Sequence, residues 1–231
     1  IPLRLVGSEM CIRDSISTAL EAAWPALGID SIWLAEQEKQ RAVDAITNYA
    51  VWDAKESATF ATAGLEVGVD HIFTVDDLAD FGITTEDIAS VDATTVPVRV
   101  KGRIDRLERT DAGQYVIVDF KTGKTVPSKK DTQDNAQLAL YQLALSGSDK
   151  DTTPVVKAKL VYLRPRSGSL GERDQQALDA DERKRWRLAL QTAASATSGP
   201  TFHACRNDHC TQCVVQESCP LYSHSILARK A

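Results

Sequence analysis

Residues 102–124, GRIDRLERTDAGQYVIVDFKTGK, hold two runs of alternating apolar side chains joined by a short turn. Asp111-Ala112-Gly113 reads as a three-residue hairpin loop, with glycine where a left-handed residue is wanted. Pairing residues symmetrically about Ala112 sets Asp105 opposite Asp119, unless a bulge at Gly113 shifts the register by one. Lys121 lies two residues beyond Asp119 and so points to the same face. Two carboxylates and an amine are therefore expected to converge from adjacent strands.

The same stretch ends in Gly123-Lys124-Thr125, like the tail of a phosphate-binding loop. Such a loop needs Gly-x-x-x-x-Gly-Lys-Ser/Thr opening a helix whose N-terminal amides hold the phosphates. Val118 occupies the first glycine position, and Pro127 disfavours helical geometry at Val126. The nucleotide-binding reading fails on both counts. The acidic reading makes chemical sense with a cation, because two nearby carboxylates in a protein are costly unless neutralised. Hard divalent ions such as Mg²⁺ or Mn²⁺ accept oxygen ligands of this kind.

Outward from the hairpin, residues 33–56 pattern as an amphipathic helix, with Leu34, Val43, Ile46, Tyr49 and Trp52 near helical spacing. Residues 65–75 alternate with period two, a strand with Leu65, Val67, Val69, His71, Phe73 and Val75 on its buried face. His71 there reads as a packed core histidine. Residues 76–95 are acidic, a loop with a short helix. The next strand sets Val96, Val98, Val100 and Ile104 on one face and Arg99, Lys101, Arg103 and Asp105 on the other. Tyr115–Lys121 forms the third strand, followed by a helix over 132–146, a strand over 155–163 and a helix over 181–196. Trp186 and Leu190 lie on the inner side of that last helix. Helix, three strands, helix, strand, helix is a mixed α/β arrangement.

The chain has 231 residues, 43% hydrophobic and 26% charged, an ordinary balance for a globular protein with one substantial core. It contains no apolar run near the roughly 20 residues that span a bilayer, nor a signal-peptide pattern, so the cytoplasm is the expected compartment. The net charge is −5 but unevenly spread. Residues 17–98 carry three Lys/Arg against fifteen Asp/Glu, whereas residues 99–130 carry nine against four. Alone, such a basic run reads as solvated surface; here it coincides with the hairpin.

GRIDRLE, VDFKTGK and QLALYQLAL, in that order, resemble the core motifs of the RecB-type branch of the PD-(D/E)xK nuclease superfamily. Asp-x-Lys alone is a weak signal; the three motifs together are specific, and the resemblance spans about residues 65–222. The nearest likeness is to the C-terminal nuclease domain of actinobacterial AdnB-type helicase–nucleases (UvrD/REP-like), which process double-strand DNA breaks. It implies a restriction-endonuclease-like α/β core, a mixed sheet flanked by helices, with a C-terminal cysteine-cluster loop. It also implies a Mg²⁺- or Mn²⁺-dependent deoxyribonuclease, an exonuclease acting in repair and recombination. Its partners would be DNA, a helicase domain upstream in the intact chain and a partner helicase–nuclease subunit.

By that resemblance Asp105 and Asp119 bind the metal, helped by the Phe120 carbonyl, and Lys121 positions or activates the attacking water. Gln137 and Tyr141, four apart and so on one helix face, hold that helix against the site and contact DNA. Lys124 and Arg103 would meet the DNA backbone. Asp70 matches an acidic position in the preceding strand, with Glu66 as the alternative. One departure stands out: the branch supplies a histidine from an upstream helix, and here no histidine precedes His71. A nuclease fold kept only for binding DNA or a partner, possibly stabilised by zinc, is the competing reading.

Four of the five cysteines fall in residues 204–220, ACRNDHCTQCVVQESCP, with spacing C-x4-C-x2-C-x5-C. Without disulfides, as expected in a cytoplasmic protein, that density points to metal ligation, and zinc and an iron–sulfur cluster both fit four thiolates. The resemblance favours a 4Fe-4S cluster on Cys210, Cys213 and Cys219, closed by a distant upstream cysteine, with Cys205 as a substitute and Zn²⁺ as the alternative. Residues 1–15, IPLRLVGSEMCIRDS, resemble translated sequencing-adapter DNA and are expected to be a non-native leader in place of a missing N-terminal part. The expected division is leader 1–15, helical remnant 16–64, nuclease core 65–200 and cysteine-cluster segment 201–231.

Overall fold

The hairpin forms in the symmetric register. In the computed structural model, which describes residues 9–27, 32–147, 153–166, 170–198 and 206–222, β2 (Val98–Arg109) pairs antiparallel with β3 (Tyr115–Lys121). Arg109 faces Tyr115 and Arg106 faces Val118, so every pair is centred on Ala112 and no bulge intervenes. Gly113 takes the left-handed conformation the turn demands, with φ 80°.

β1 (Ala61–Phe73) extends the sheet antiparallel to β2, β4 (Val155–Tyr162) lies parallel to β3, and β5 (Gly171–Gln176) closes the far edge antiparallel to β4. The strand order β1-β2-β3-β4-β5 is that of a mixed five-stranded sheet. The parallel β3–β4 pair requires a crossover, supplied by α4 (Lys129–Gln133) and α5 (Ala136–Ser146). The single helix expected over 132–146 is thus broken. Asn135 caps α5, its side chain accepting from the Leu138 amide at 3.0 Å.

Helices cover both faces. α5 packs on one through Leu138, Tyr141 and Ala144, which meet Ile104, Leu107, Ile117 and Leu160. α2 (Ile32–Glu56) covers the other, where Trp52 meets Val116, Val118 and Val161. Strict alternation along β2 is interrupted, since Ile104 and Leu107 are three apart and join the same cluster. The break falls at Asp105, opposite Glu66 of β1, a non-glycine residue with φ 52°. Two residues expected on the buried face of β1 are exposed: Leu65 at 60% and Val75, beyond the strand, at 42%. His71 is half-buried, its ring edge-on to Phe73 at 4.4 Å.

β5 has no apolar pattern, and nothing in its sequence marks it as a strand. Its buried residue is Gln175, whose Nε2 donates to the carbonyls of Gln133 and Asn135, both at 3.0 Å, at the α4–α5 break. The acidic region contains a 3₁₀ turn, Asp76–Phe81, and α3 (Thr85–Ser90). It is held from α6 (Ala180–Ser198) by buried polar side chains: Arg187 donates to Thr74 O, and Gln191 to Thr94 O. α1 (Glu9–Ala23) crosses the expected boundary at residue 15 and reaches α2 through Arg13, which bonds Asp44 at 2.6 Å. No described helix is long and apolar enough to cross a membrane.

Candidate active site

The last register pair of the hairpin is Arg106–Val118; beyond it β2 and β3 part. Where the next rung would form, the Phe120 amide donates instead to Asp105 Oδ2 at 2.7 Å. That bond turns the Asp105 carboxylate toward the end of β3. Asp119 is 3% exposed, wedged between β2 and β4, where it sits opposite Leu160. Lys121, on the same face, brings Nζ to 2.6 Å from Asp119 Oδ2.

α5 completes the group through a directional chain of hydrogen bonds. Lys121 Nζ donates to Gln137 Oε1 at 2.7 Å. The Gln137 amide nitrogen donates to Asp119 Oδ1 at 2.8 Å and to the Tyr141 hydroxyl at 3.2 Å. Tyr141 in turn donates to Arg103 O at 2.7 Å. Every polar atom of Gln137 is used, and its orientation is dictated from both sides. The Asn135 cap starts α5 where Gln137 and Tyr141 face the sheet. Gly102 makes room for Tyr141: a Cβ there would lie 2.8 Å from the ring.

The electrostatics favour a cation. Burial pushes the Asp119 carboxyl above the ordinary aspartate range; the Lys121 ammonium pulls it back, and the Asp105 charge adds to the push. Two carboxylates against one ammonium leave a residual negative charge in a partly dry site. Asp119 Oδ2 is buried, and the Lys121 ammonium lies 2.6 Å from it. Carboxylate oxygens gathered in this way suit a hard divalent ion. No third His, Cys, Asp or Glu joins them among the described residues.

Of the other site residues, Arg103 is exposed and points its side chain to Glu66 at 3.4 Å. Asp70 lies opposite Lys101 and is bonded to Arg99 at 2.7 Å, well along the strand from Asp105; Glu66 is the acidic residue of β1 beside it. Lys124 is exposed, three residues past Lys121. The basic run over 99–130 does not form one patch, because Arg106 is 2% exposed and turns toward α2, bonding Asp53 of α2 and Glu108 of its own strand.

The family description "PD-(D/E)XK nuclease superfamily" matches residues 4–220. The chain belongs to this superfamily. The mixed five-stranded sheet with helices on both faces is its α/β nuclease-like fold. No curated protein matches the chain. It is also similar to a solved structure described as "Crystal structure of SSO0001", with 18% identity, 91% of this chain and 85% of that one covered, and a TM-score of 0.43.

In this PD-(D/E)XK chain the C-terminal segment carries two short 3₁₀ turns, Asp208–Gln212 and Gln216–Ser218. Cys210, Cys213 and Cys219 are free thiols, and they do not gather into a three-ligand group. The Asn207 amide donates to Cys210 Sγ at 3.2 Å. Cys205 lies outside the described residues.

Proposed function

We infer that the chain is a metal-dependent DNA nuclease module that hydrolyses phosphodiester bonds, and that it serves as the exonuclease end of a helicase–nuclease processing double-strand breaks. The observation that carries the chemistry is the convergence of Asp105, Asp119 and Lys121, locked by Gln137. The helicase context rests on the order of the GRIDRLE, VDFKTGK and QLALYQLAL motifs.

Asp105 and Asp119, with the Phe120 carbonyl, would hold Mg²⁺ or Mn²⁺. When bound, the ion polarises the phosphate and lowers the pKa of coordinated water. The protein's own residues do the rest. Gln137 holds the Lys121 ammonium beside Asp119, where it orients the attacking water and offsets negative charge developing on the phosphate. Gln137 also donates to Asp119 Oδ1, which fixes the orientation of the carboxylate. Tyr141, tied to Arg103 O, fixes the distance between α5 and β2. For the cysteine segment we take a 4Fe-4S cluster, with zinc as the alternative; the support is the spacing Cys210, Cys213, Cys219 and the softness of thiolate ligands.

Linear DNA incubated with the chain and Mg²⁺ or Mn²⁺ should be degraded, and Asp119→Ala should abolish this while leaving the fold intact by circular dichroism. Cleavage retained in Asp119→Ala would remove the assignment. DNA binding without cleavage under either metal would favour the competing reading, a nuclease fold kept for binding.

A further inference from the structure

The end of β3 is fastened to the chain that follows β4. The Leu163 amide donates to Lys121 O at 2.9 Å and the Arg166 amide to Lys124 O at 3.0 Å. α2 closes a third side, with Asn48 Nδ2 donating to Leu163 O at 2.7 Å. Between these elements opens a cleft of about 510 Å³ whose wall carries Arg41, Lys124, Arg164 and Arg166.

Its acidic side chain, Asp44, already accepts hydrogen bonds from Gln40 at 3.0 Å and from Arg13. Among the described residues Lys124, Arg164 and Arg166 have no acidic partner, whereas Arg41 is paired with Glu38. Cations brought into one concave wall by three separate elements repel each other. A polyanion would offset that repulsion.

The cleft's position says which polyanion. Lys124 is three residues from Lys121, a reach of at most about 10 Å. A nucleic-acid strand rises about 3.4 Å per nucleotide, so one ligand touching both places spans about three nucleotides. The wall offers charges and no aromatic ring for a base to stack on. We propose that this cleft is a phosphate-binding site that grips the backbone of the DNA strand within about three nucleotides of the scissile bond, independently of sequence. The inference rests on reading Asp105 and Asp119 as the nuclease centre.

The test is fluorescence anisotropy of the full chain with a labelled oligonucleotide, in EDTA so that nothing is cut, across a salt series. Arg164→Ala/Arg166→Ala is expected to weaken binding about tenfold and to make the log-affinity slope against log salt shallower by about 1.4 to 1.8. Arg166→Glu should weaken it further. Lys55→Ala, in the last turn of α2, exposed and outside the lining of the cleft, is the control. With metal added, the double variant should show raised KM and retained kcat. An affinity and salt slope equal to those of Lys55→Ala would overturn the cleft even if the chain cuts DNA. No binding by the unaltered chain would overturn it too. Binding lost in the double variant, in a chain that cuts under no metal, would uphold the cleft and sink the nuclease reading.

Discussion

Gln137 has the most constrained side chain in the site, and it touches no metal ion in the proposed mechanism. Its oxygen faces the Lys121 ammonium and its nitrogen faces Asp119 and Tyr141, so it sets where the amine and the carboxylate stand relative to each other. Gln137→Leu keeps the approximate volume and removes all three bonds. Partners that orient metal ligands contribute about 10–100-fold to metal affinity or activity. The variant is therefore expected to lose kcat/KM by that factor and to bind Mn²⁺ more weakly in calorimetry, with its melting temperature little changed. Unaltered Mn²⁺ affinity would leave Gln137 a structural residue only. The Gln–Tyr pair was legible in the sequence because four-residue spacing guarantees a shared helix face. Gly102 was not: its reason for being glycine is a tyrosine ring 39 positions away, and no local pattern encodes that contact.

At the scale of elements, the sequence read well wherever one face is apolar and poorly wherever the buried groups are polar. β3 appeared with its observed boundaries because Tyr115 to Val118 are all buried and β-prone. β5 stayed hidden because the buried residue of GERDQQ is a glutamine that serves backbone carbonyls. The packing of α2 on the sheet is similar in kind. Around Trp52 it buries Arg106, Glu108, Lys159 and Glu56, charged side chains that no apolar pattern marks as internal. Glu108 is wholly buried, and although Arg106 pulls downward, burial pushes its carboxyl from 4.5 up to about 7. A raised carboxyl pKa means the folded chain holds the proton more tightly than the unfolded one. The stability this adds is complete below 4.5 and lost as pH rises through about 7. Each tenfold tightening of the hold on a proton contributes about 1.4 kcal/mol, so the amount is on the order of 3 kcal/mol. Glu108→Gln cannot titrate, so its urea-unfolding free energy should lack that decline. An identical decline in both chains would refute the assignment to Glu108.

For the whole molecule, the question is what holds the last described segment. None of residues 206–222 belongs to the four apolar clusters that make the core, and every one is exposed or half-buried. Val214 is 99% exposed and Val215 61%. Local bonds such as Gln216 Nε2 to Cys210 O at 3.0 Å hold its turns, but an apolar core does not. A segment without burial cannot offset the entropy of being ordered unless something else ties it, and thiolate–metal bonds are strong enough. The cysteine spacing pointed to such a tie, and the four clusters explain why the nuclease sheet does not need it. The two proposed metal sites should therefore separate. Chain purified without oxygen is expected to contain iron and inorganic sulfide. Cys213→Ser should lose the iron and become open to proteolysis within 206–222, while the sheet melts at the unaltered temperature. EDTA should stop DNA cleavage, and added Mg²⁺ should restore it. A colourless chain with stoichiometric zinc would replace the iron–sulfur reading by the zinc one. A chain holding neither metal, or a sheet that melts early in Cys213→Ser, would sink the idea of a separate metal-held segment.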